Sequence, residues 1–570
     1  MSQTPNQPIA PPIIDLPIKT SNSGFYQGFI TIVTVPSKLI VSLLILWTIL
    51  FPTHALQVLK LANTNIIREF SGWYVYLVAF LMLVALILAI FPKTGSLRLG
   101  NPGEEPEFSR FSWCAMLFGA GIGIGMLTYS TAEPLAHFGN NPDIIRGTVE
   151  SATAGAVRPA YIYTFLHWGF SAWATYALIG LAVAYVAYRR NLPLTIRSAL
   201  VPLFGKSMSG PAGHLVDIVA VVATILGVAV TMGLGVEQFI AGLYRIGFGD
   251  WLMNSEGTAS ASAIITALIL LVGASTLSAL SGVGRGIKWL SNLNIALSLL
   301  LLTVFVIVGS GLLGFELLFV GLYDYILNLP RLAISIWSQD GTPIGDALAT
   351  WQLDWTIFYW AWWIAFSPFV GMFIARVSRG RTVREYMMGV ILVPSVMCFI
   401  WMAIVGGTAI EFELNGVAQG AILNTGISDQ LYATLSFMFD PAIAMIMSCL
   451  VVILLITYLI TSTDSAILIV NTINGAGGED DESEHRHHII FWGLALAFVV
   501  GSMLILGGIE AIRITMIIGA LPFSVVVALM AISIVKAIIF DLIRKKHGVW
   551  TTVETDEVGE ASHEAQDLLR

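Results

Sequence analysis

The chain has 570 residues and a formal net charge of −8, and 56% of its residues are hydrophobic against only 11% charged. Its mean hydropathy is +0.81. Soluble domains carry about 25% charged residues, so this composition excludes a soluble globular protein and predicts an all-α integral membrane protein.

Twelve apolar segments are long enough to cross a bilayer as helices. They lie near 30–51, 72–92, 111–131, 160–187, 213–243, 261–281, 288–312, 351–376, 386–409, 436–463, 489–508 and 514–541. We expect residues 1–28 to form a cytoplasmic tail, 29–544 a single transmembrane core, and 545–570 an acidic cytoplasmic tail.

Basic residues mark one side of this topology, which the positive-inside rule assigns to the cytoplasm. They are Lys93, Arg98, Arg110, Arg189, Arg190, Arg197, Lys206, Arg285, Lys288, Arg376, Arg379, Arg381, Arg384, Arg544, Lys545 and Lys546. Both termini are therefore expected in the cytoplasm, in agreement with an even number of spans.

Two spans carry residues that break helices. In the third span four glycines alternate, at Gly119, Gly121, Gly123 and Gly125. Such a density lowers helix stability and exceeds a single packing face, although a glycine face for a neighbouring helix is the alternative. In the eighth span Pro368 follows Ser367 and removes a backbone donor. We predict unwound backbone in both spans.

Interrupted helices in corresponding positions of two halves indicate a secondary transporter built from an inverted repeat. Spans three to seven would form one five-helix unit, and spans eight to twelve the other. Amides freed at a break can bind a substrate carboxylate, and freed carbonyls and hydroxyls can bind sodium.

Aromatic stretches lie within the fourth and eighth spans, where membrane helices normally carry aliphatic residues. Trp168, Trp173 and Tyr176 fall on nearly one helical face, and Trp360 and Trp363 are one turn apart. Facing aromatic stripes form a cage for a cation that cannot donate a hydrogen bond, such as a quaternary ammonium. Bulky packing or anchoring at the membrane interface is the alternative.

Polar residues in or beside the spans complete the candidates. A run from Thr461 to Ser465 closes the tenth span, where we expect Asp464 to cap a helix or hold a gate. Glu133 follows the third span and is expected to anchor a helix end. Segment 314–335 predicts an amphipathic helix at the outer membrane surface, with a plain loop as the alternative.

These features resemble the betaine/choline/carnitine transporter family over about residues 30–545. The matching motifs are the glycine-rich segment, His167-Trp168-Gly169, Tyr359-Trp360-Ala361-Trp362-Trp363-Ile364 with Ser367-Pro368-Phe369-Val370-Gly371-Met372, the basic run 378–385, and Thr461-Ser462 with Asp464-Ser465.

The resemblance implies roles for individual residues. The aromatic box around a trimethylammonium group would consist of Trp168, Trp173, Tyr176 and Trp363. Further substrate contacts, along the path and at the substrate carboxylate, would come from Trp360, Trp362, Phe366, Gly121, Gly123 and Gly125. Sodium would bind at one site formed by Gly119, Ile122, Thr461 and Ser462, and at a second near Thr224 and Phe369.

The resemblance also implies an assembly and a location. Family members are usually homotrimers, and the helix at 314–335 would contribute to the subunit contact. We expect a multi-pass protein of the bacterial inner membrane, with sodium as coupling ion and no other cofactor.

Departures from the family pattern refine the substrate. Choline carriers of the family tend to have Asp where this chain has Gly125, so a substrate with its own carboxylate is favoured. Val228 replaces a hydroxyl ligand of the second sodium site, and Phe366 replaces a Trp. The leading prediction is sodium-coupled import of a methylated onium zwitterion, first glycine betaine and then dimethylsulfoniopropionate.

Other functions remain as alternatives. A choline or carnitine carrier, coupled to protons or working by exchange, is the nearest. An ion channel would be expected to show repeated intramembrane carboxylates or a carbonyl filter. The one hint of a membrane enzyme is His485-Arg486-His487-His488, which we interpret as a solvated loop. We therefore predict that the protein is not an enzyme.

Overall fold

The computed structural model describes residues 10–119, 123–280, 286–478 and 486–553. Across these residues the regular structure is helical, and pairing of extended backbone is limited to isolated bridges such as Arg98 with Thr382. Eleven of the helical segments are long and apolar enough to cross a membrane. The prediction of an all-α integral membrane protein is confirmed.

The helices follow one another along the chain with short connections. The first ten are α1 Thr31–Leu50, α2 Pro52–Ile90, α3 Pro92–Gly95, α4 Arg110–Gly119, α5 Gly123–Gly139, α6 Pro142–Ile145, α7 Ala154–Trp168, α8 Phe170–Arg190, α9 Val201–Phe204 and α10 Pro211–Arg245. The next ten are α11 Ala261–Leu280, α12 Gly286–Val308, α13 Gly311–Leu332, α14 Pro343–Gln352, α15 Phe358–Arg376, α16 Val383–Trp401, α17 Gly407–Leu414, α18 Gln430–Met438, α19 Pro441–Asn474 and α20 Arg486–Lys546.

Eleven segments are compatible with twelve spans. Gly507 and Gly508 interrupt α20 with non-helical backbone, so it contains the last two predicted spans. The third predicted span falls on α4 and α5, and residues 120–122 between them lie outside the described residues, so the predicted unwinding there stays a prediction. The count of eleven also includes α13, which is the helix predicted to lie on the outer surface. The grouping into two inverted five-helix units stays a prediction.

Several of the basic segments predicted to be cytoplasmic meet on one face of the molecule, and Arg285 lies outside the described residues. The guanidinium of Arg189 donates to the Arg98 carbonyl at 2.9 Å, and the Val553 amide donates to the Arg189 carbonyl at 3.2 Å. Arg544 donates to the Ala10 carbonyl at 2.9 Å. Both described ends of the chain therefore lie on this basic face.

Helices α8, α10, α15 and α20 pack against one another at the centre. At the basic face, Tyr188 near the end of α8 donates to the carbonyl of Arg376 at the end of α15. Arg197, just after α8, pairs with Asp217 in the first turns of α10 at 2.6 Å. Because α15 ends and α10 begins at the same face, these two central helices are antiparallel.

The fourth predicted span, 160–187, is wrong as a single continuous helix. It is broken at Gly169, which separates α7 from α8. A Cβ at this glycine would lie 2.5 Å from the Phe165 carbonyl oxygen and 2.9 Å from the Tyr325 hydroxyl, so only glycine fits. Trp168 therefore ends one helix while Trp173 lies on the next, and they do not share one helical face.

The predicted break at Pro368 is also wrong, because α15 continues through this residue. Proline leaves the carbonyl four residues before it without its usual amide donor. Here that carbonyl belongs to Ile364, and the Ser367 hydroxyl donates to it at 2.6 Å. A side chain thus replaces the missing backbone bond. The irregularity lies instead at the start of the helix, in a π-helical turn at Leu353–Ile357.

Two helices extend beyond their predicted ends and change the setting of two carboxylates. Helix α5 runs to Gly139, and α19 runs to Asn474, so neither Glu133 nor Asp464 lies at a helix end. Both side chains are fully buried. Asp464 accepts a hydrogen bond from Ser278 at 2.7 Å. Anchoring of a helix end by Glu133 and capping by Asp464 were therefore wrong predictions.

The cluster interpreted as a solvated loop extends partly into α20. His485 lies outside the described residues, but His488 is buried in the first turn of α20. One of its ring nitrogens lies 2.6 Å from the Lys38 ammonium on α1. His488 therefore links α20 to α1.

A helix is present where the sequence predicted one over 314–335, as α13, and its place relative to the membrane stays a prediction. Its ion pair between Asp324 and Arg158 of α7 measures 2.6 Å, at the end of the molecule opposite the basic face. Phe319 and Leu327 on its other side are 69% and 61% exposed. This two-sided pattern agrees with an amphipathic helix.

Candidate substrate and ion sites

Four predicted box residues form one continuous aromatic cluster where α7, α8 and α15 meet. The ring centroids of Trp168 and Trp363 are 5.2 Å apart, and those of Trp363 and Tyr176 are 6.1 Å apart. Trp173 joins through Tyr176 at 5.4 Å. All three contacts are edge-to-face, with interplanar angles between 73° and 75°. Because of the break at Gly169, Trp168 ends α7 and contacts Trp363 of α15, whereas Trp173 and Tyr176 lie on α8.

The cluster is closed to solvent, since none of its four side chains is more than 4% exposed. At these centroid distances the rings touch one another. A quaternary ammonium binds over a ring face, within about 6 Å of the centroid. Entry of such a group between Trp168 and Trp363 therefore requires at least one ring to move.

The other predicted aromatic residues, Trp362, Trp360 and Phe366, lie at different positions on α15. Trp362 stacks on Trp363 with centroids 4.8 Å apart, and so extends the cluster. Its indole N–H is buried and has no hydrogen-bond partner among the described residues. Trp360 lies one turn before Trp363 on α15, edge-on to His167 at 5.9 Å. Phe366 contacts Phe369 at 5.1 Å.

The glycine-rich stretch adjoins this cluster where α5 begins. A Cβ at Gly125 would lie 3.1 Å from the Trp168 ring and 3.2 Å from the Trp362 ring. Gly125 thus forms a wall of the same site as the box. The unwound backbone predicted in this stretch would leave amides free to bind an anion, and it stays a prediction. Gly121 lies outside the described residues.

The first predicted sodium site joins α5 to α19. A Cβ at Gly123 would lie 2.3 Å from the Tyr458 ring, so the start of α5 touches α19 one turn before Thr461 and Ser462. The Thr461 hydroxyl donates to the carbonyls of Thr457 and Tyr458, at 3.0 and 3.2 Å. Its oxygen accepts from the Asn294 side-chain amide at 3.2 Å, which leaves one lone pair for a cation. Gly119 ends α4, and Ile122 lies outside the described residues.

The second predicted sodium site lies where α10 crosses α15. A Cβ at Gly227 would lie 2.9 Å from the Phe366 amide nitrogen, which makes this a close helix crossing. Thr224 lies one turn before Gly227, and Phe369 one turn after Phe366. Since the helices are antiparallel, both lie on the same side of the crossing. The neighbouring Val228 is buried and offers no side-chain oxygen.

Sequence reasoning missed the polar centre behind the box. The Glu133 carboxyl bonds His167 at 2.7 Å and the Trp168 indole at 2.5 Å, and it also accepts from the Tyr359 hydroxyl. His137 lies 3.3 Å away. A sequence signal was present, since an ionisable residue at membrane depth is by default a functional candidate. It was discounted because the third helix was predicted to end before Glu133.

Comparisons with known proteins agree with this architecture. The family model described as BCCT, betaine/carnitine/choline family transporter, matches residues 32–541. The glycine betaine transporter OpuD of Bacillus subtilis is 37% identical over 87% of this chain and 91% of its own length.

Two further relatives carry choline in their names. The high-affinity choline transport protein of Escherichia coli is 35% identical over 84% of this chain and 70% of its own. The osmo-dependent choline transporter BetT2 of Acinetobacter baylyi is 36% identical over 88% and 70%. With these matches across nearly all of its length, the chain belongs to the betaine/carnitine/choline transporter family and is a multi-pass membrane transporter rather than an enzyme.

Proposed function

We propose that the protein imports a methylated onium zwitterion by sodium symport, with glycine betaine as first substrate and dimethylsulfoniopropionate as second. The observation that carries this proposal is the buried cluster of Trp168, Trp363, Tyr176 and Trp173. Aromatic faces attract a quaternary ammonium or sulfonium without needing a hydrogen-bond donor on it. The name of the Bacillus subtilis relative supports the same substrate class.

Two kinds of hydrogen-bond donor beside the box could bind the carboxylate end of a zwitterion. Trp362 presents a buried indole N–H that has no acceptor among the described residues. The backbone of Gly125 on α5 lies next to it, since a Cβ there would lie 3.2 Å from the Trp362 ring, and amides freed by the unwinding predicted in this stretch would lie nearby. A substrate carboxylate would satisfy both kinds of donor and relieve the cost of burying an unpaired donor. Choline has no carboxylate to offer.

Sodium coupling is supported by the contact between the start of α5 and α19. Gly123 packs on Tyr458, one turn from Thr461 and Ser462. An ion there would touch α5, whose Gly125 also touches the box. Sodium and substrate would therefore stabilise the same arrangement of α5, and each would raise the affinity for the other.

The proposed assembly is a homotrimer in the bacterial inner membrane, with both termini in the cytoplasm. The exposed apolar face of α13 is the proposed place of subunit contact.

Uptake into proteoliposomes tests the function. Labelled glycine betaine should accumulate under an inward sodium gradient, and unlabelled dimethylsulfoniopropionate should compete better than choline. Equal accumulation in sodium-free buffer under a proton gradient, or by exchange, would contradict sodium symport. Stronger competition by choline than by glycine betaine would support the alternative of a choline carrier, which two of the relatives' names favour.

A further inference from the structure

One buried carboxyl group joins the three helices that form the box. Oxygen Oε2 of Glu133, on α5, accepts from the Trp168 indole at 2.5 Å and from the Tyr359 hydroxyl. Oxygen Oε1 lies 2.7 Å from His167 Nδ1 and 3.3 Å from His137 Nε2. Each carboxyl oxygen therefore has two polar partners, which fills its capacity as an acceptor.

Two of these partners connect Glu133 to box rings on two helices, α7 and α15. Trp168 is itself a box residue at the end of α7. Tyr359 on α15 contacts Trp363 at 5.4 Å and Trp362 at 6.0 Å between ring centroids. The indole N–H can only donate; it donates to Glu133 at 2.5 Å and also to the Tyr359 hydroxyl at 3.2 Å, so these two acceptors, themselves bonded to each other, fix the orientation of the Trp168 ring. Loss of the carboxyl group would release rings on both helices.

His167 extends the same network. Its second ring nitrogen lies 3.1 Å from the Thr356 hydroxyl in the π-helical turn before α15. Its backbone carbonyl accepts from the Trp363 indole at 2.9 Å. The end of α7 is thus bound to α15 through both the backbone and the side chain of one residue.

Glu133, His137 and His167 also bring three possible metal ligands within 4.8 Å of one another. A metal would have to displace hydrogen bonds that already use both carboxyl oxygens. The contacts therefore favour a hydrogen-bonded framework, and bound metal is an outcome that elemental analysis of the purified protein can detect.

We propose that Glu133 is a positioning residue for the onium site, acting through Trp168 and Tyr359 rather than by touching substrate. This proposal rests on the proposed function, since it assumes that the aromatic cluster binds the onium group. Such a network sets substrate affinity because second-layer hydrogen bonds hold a binding side chain in its productive rotamer.

A double-mutant cycle in proteoliposomes tests the proposal. Glu133→Gln places an amide donor opposite the Trp168 N–H or the Tyr359 hydroxyl. Trp168→Phe keeps a ring but removes the N–H that bonds Glu133. We expect each single change to raise the KM for glycine betaine about tenfold with a smaller effect on Vmax. The double variant should exceed the worse single variant by no more than about twofold, because both changes break one interaction.

Glu237→Gln is the matched control. Glu237 is a largely buried carboxylate on α10, near Gly508 in the break of α20, and none of its described contacts is with a box residue. Its KM should stay near that of the wild type. If Glu133→Gln does not reach the membrane, Tyr359→Phe, which removes one hydroxyl from the network, should show the same non-additivity with Trp168→Phe.

The outcomes separate the two proposals. An unchanged KM in Trp168→Leu, which removes the ring itself, would overturn the aromatic box, and with it the proposed function. A raised KM in Trp168→Leu would keep the box; an unchanged KM in Trp168→Phe or in Glu133→Gln, or fully multiplicative effects of these two changes, would then overturn only the positioning role. Stoichiometric zinc in the wild type that Glu133→Gln removes would also overturn it, in favour of a metal site.

Discussion

The indole nitrogen of Trp363 donates to the backbone carbonyl of His167 across 2.9 Å. This carbonyl lies in the last turn of α7, where carbonyls lack helical partners. The break at Gly169 thus creates the acceptor that Trp363 uses. One broken helix therefore fixes the position of a box ring on another helix.

Trp363→Leu should weaken substrate binding about tenfold or more. Leucine keeps the site apolar but removes both the ring face, worth about 1–2 kcal/mol to a bound cation, and the bond to His167. Trp363→Phe keeps a ring and should have an intermediate affinity. Binding of labelled glycine betaine to purified protein measures the change.

Trp492→Leu serves as the control for that experiment. Trp492 on α20 is fully buried, and its indole N–H has no partner among the described residues. Its loss removes a large buried ring without removing a hydrogen bond. Equal loss of affinity in Trp492→Leu and Trp363→Leu would show that the effect is general packing rather than recognition.

Thr461→Ala combined with Ser462→Ala should raise the sodium concentration for half-maximal uptake several-fold. The two hydroxyl oxygens are proposed ligands, and methyl groups cannot replace them. Ser448→Ala removes another buried hydroxyl from α19, one that donates to Ala444 at 2.8 Å, and should leave the sodium dependence unchanged. An unaltered sodium requirement in the double variant would remove these residues from the ion site.

Gly125→Asp should improve choline relative to glycine betaine. The new carboxylate attracts a cation and repels the substrate's own acid group. Its Cβ would also press on the Trp168 and Trp362 rings, at 3.1 and 3.2 Å. Gly125→Ala carries the same Cβ without charge and is the matched control. Competition by unlabelled choline against labelled glycine betaine gives the ratio, which should shift with Asp and stay constant with Ala.

Gly169→Ala should lower the thermal stability of the purified protein. The added Cβ would meet the Phe165 carbonyl oxygen at 2.5 Å and the Phe399 ring at 2.7 Å, and overpacking of this kind costs about 1–3 kcal/mol. Gly273→Ala on α11 has open space around its Cβ and should leave the stability unchanged or raise it slightly. A melting temperature of Gly169→Ala equal to that of Gly273→Ala would contradict the close approach at the break.

The sequence predicted the membrane class because hydrophobic spans depend on composition, which is local. It missed the break at Gly169. That glycine is required by Phe165 and Tyr325, and Tyr325 lies on a helix about 155 residues away. At Pro368 the sequence predicted a break, but the helix continues. The Ser367 hydroxyl donates to the Ile364 carbonyl in place of the missing amide, and the sequence does not show where that hydroxyl points.

The candidate site was also predicted only in part. The aromatic residues could be named from their spacing and from the family motif, and the structure gathers Trp168, Trp173, Tyr176 and Trp363 into one cluster. The role of Glu133 could not be read from the sequence. Its partners come from α7 and α15, and only the packing of those helices brings their polar groups to one carboxyl.

Tryptophan fluorescence of the purified protein reports directly on binding of an onium group to the aromatic box, because that group must move rings that touch in this structure. Glycine betaine, dimethylsulfoniopropionate, carnitine and choline are titrated with sodium and again with potassium in its place. We expect a saturable change with glycine betaine that is much tighter in sodium, weaker binding of choline, and a titration of Trp363→Leu that needs about tenfold or more glycine betaine. A response to choline that is stronger than the response to glycine betaine, or one that does not depend on sodium, would contradict this expectation.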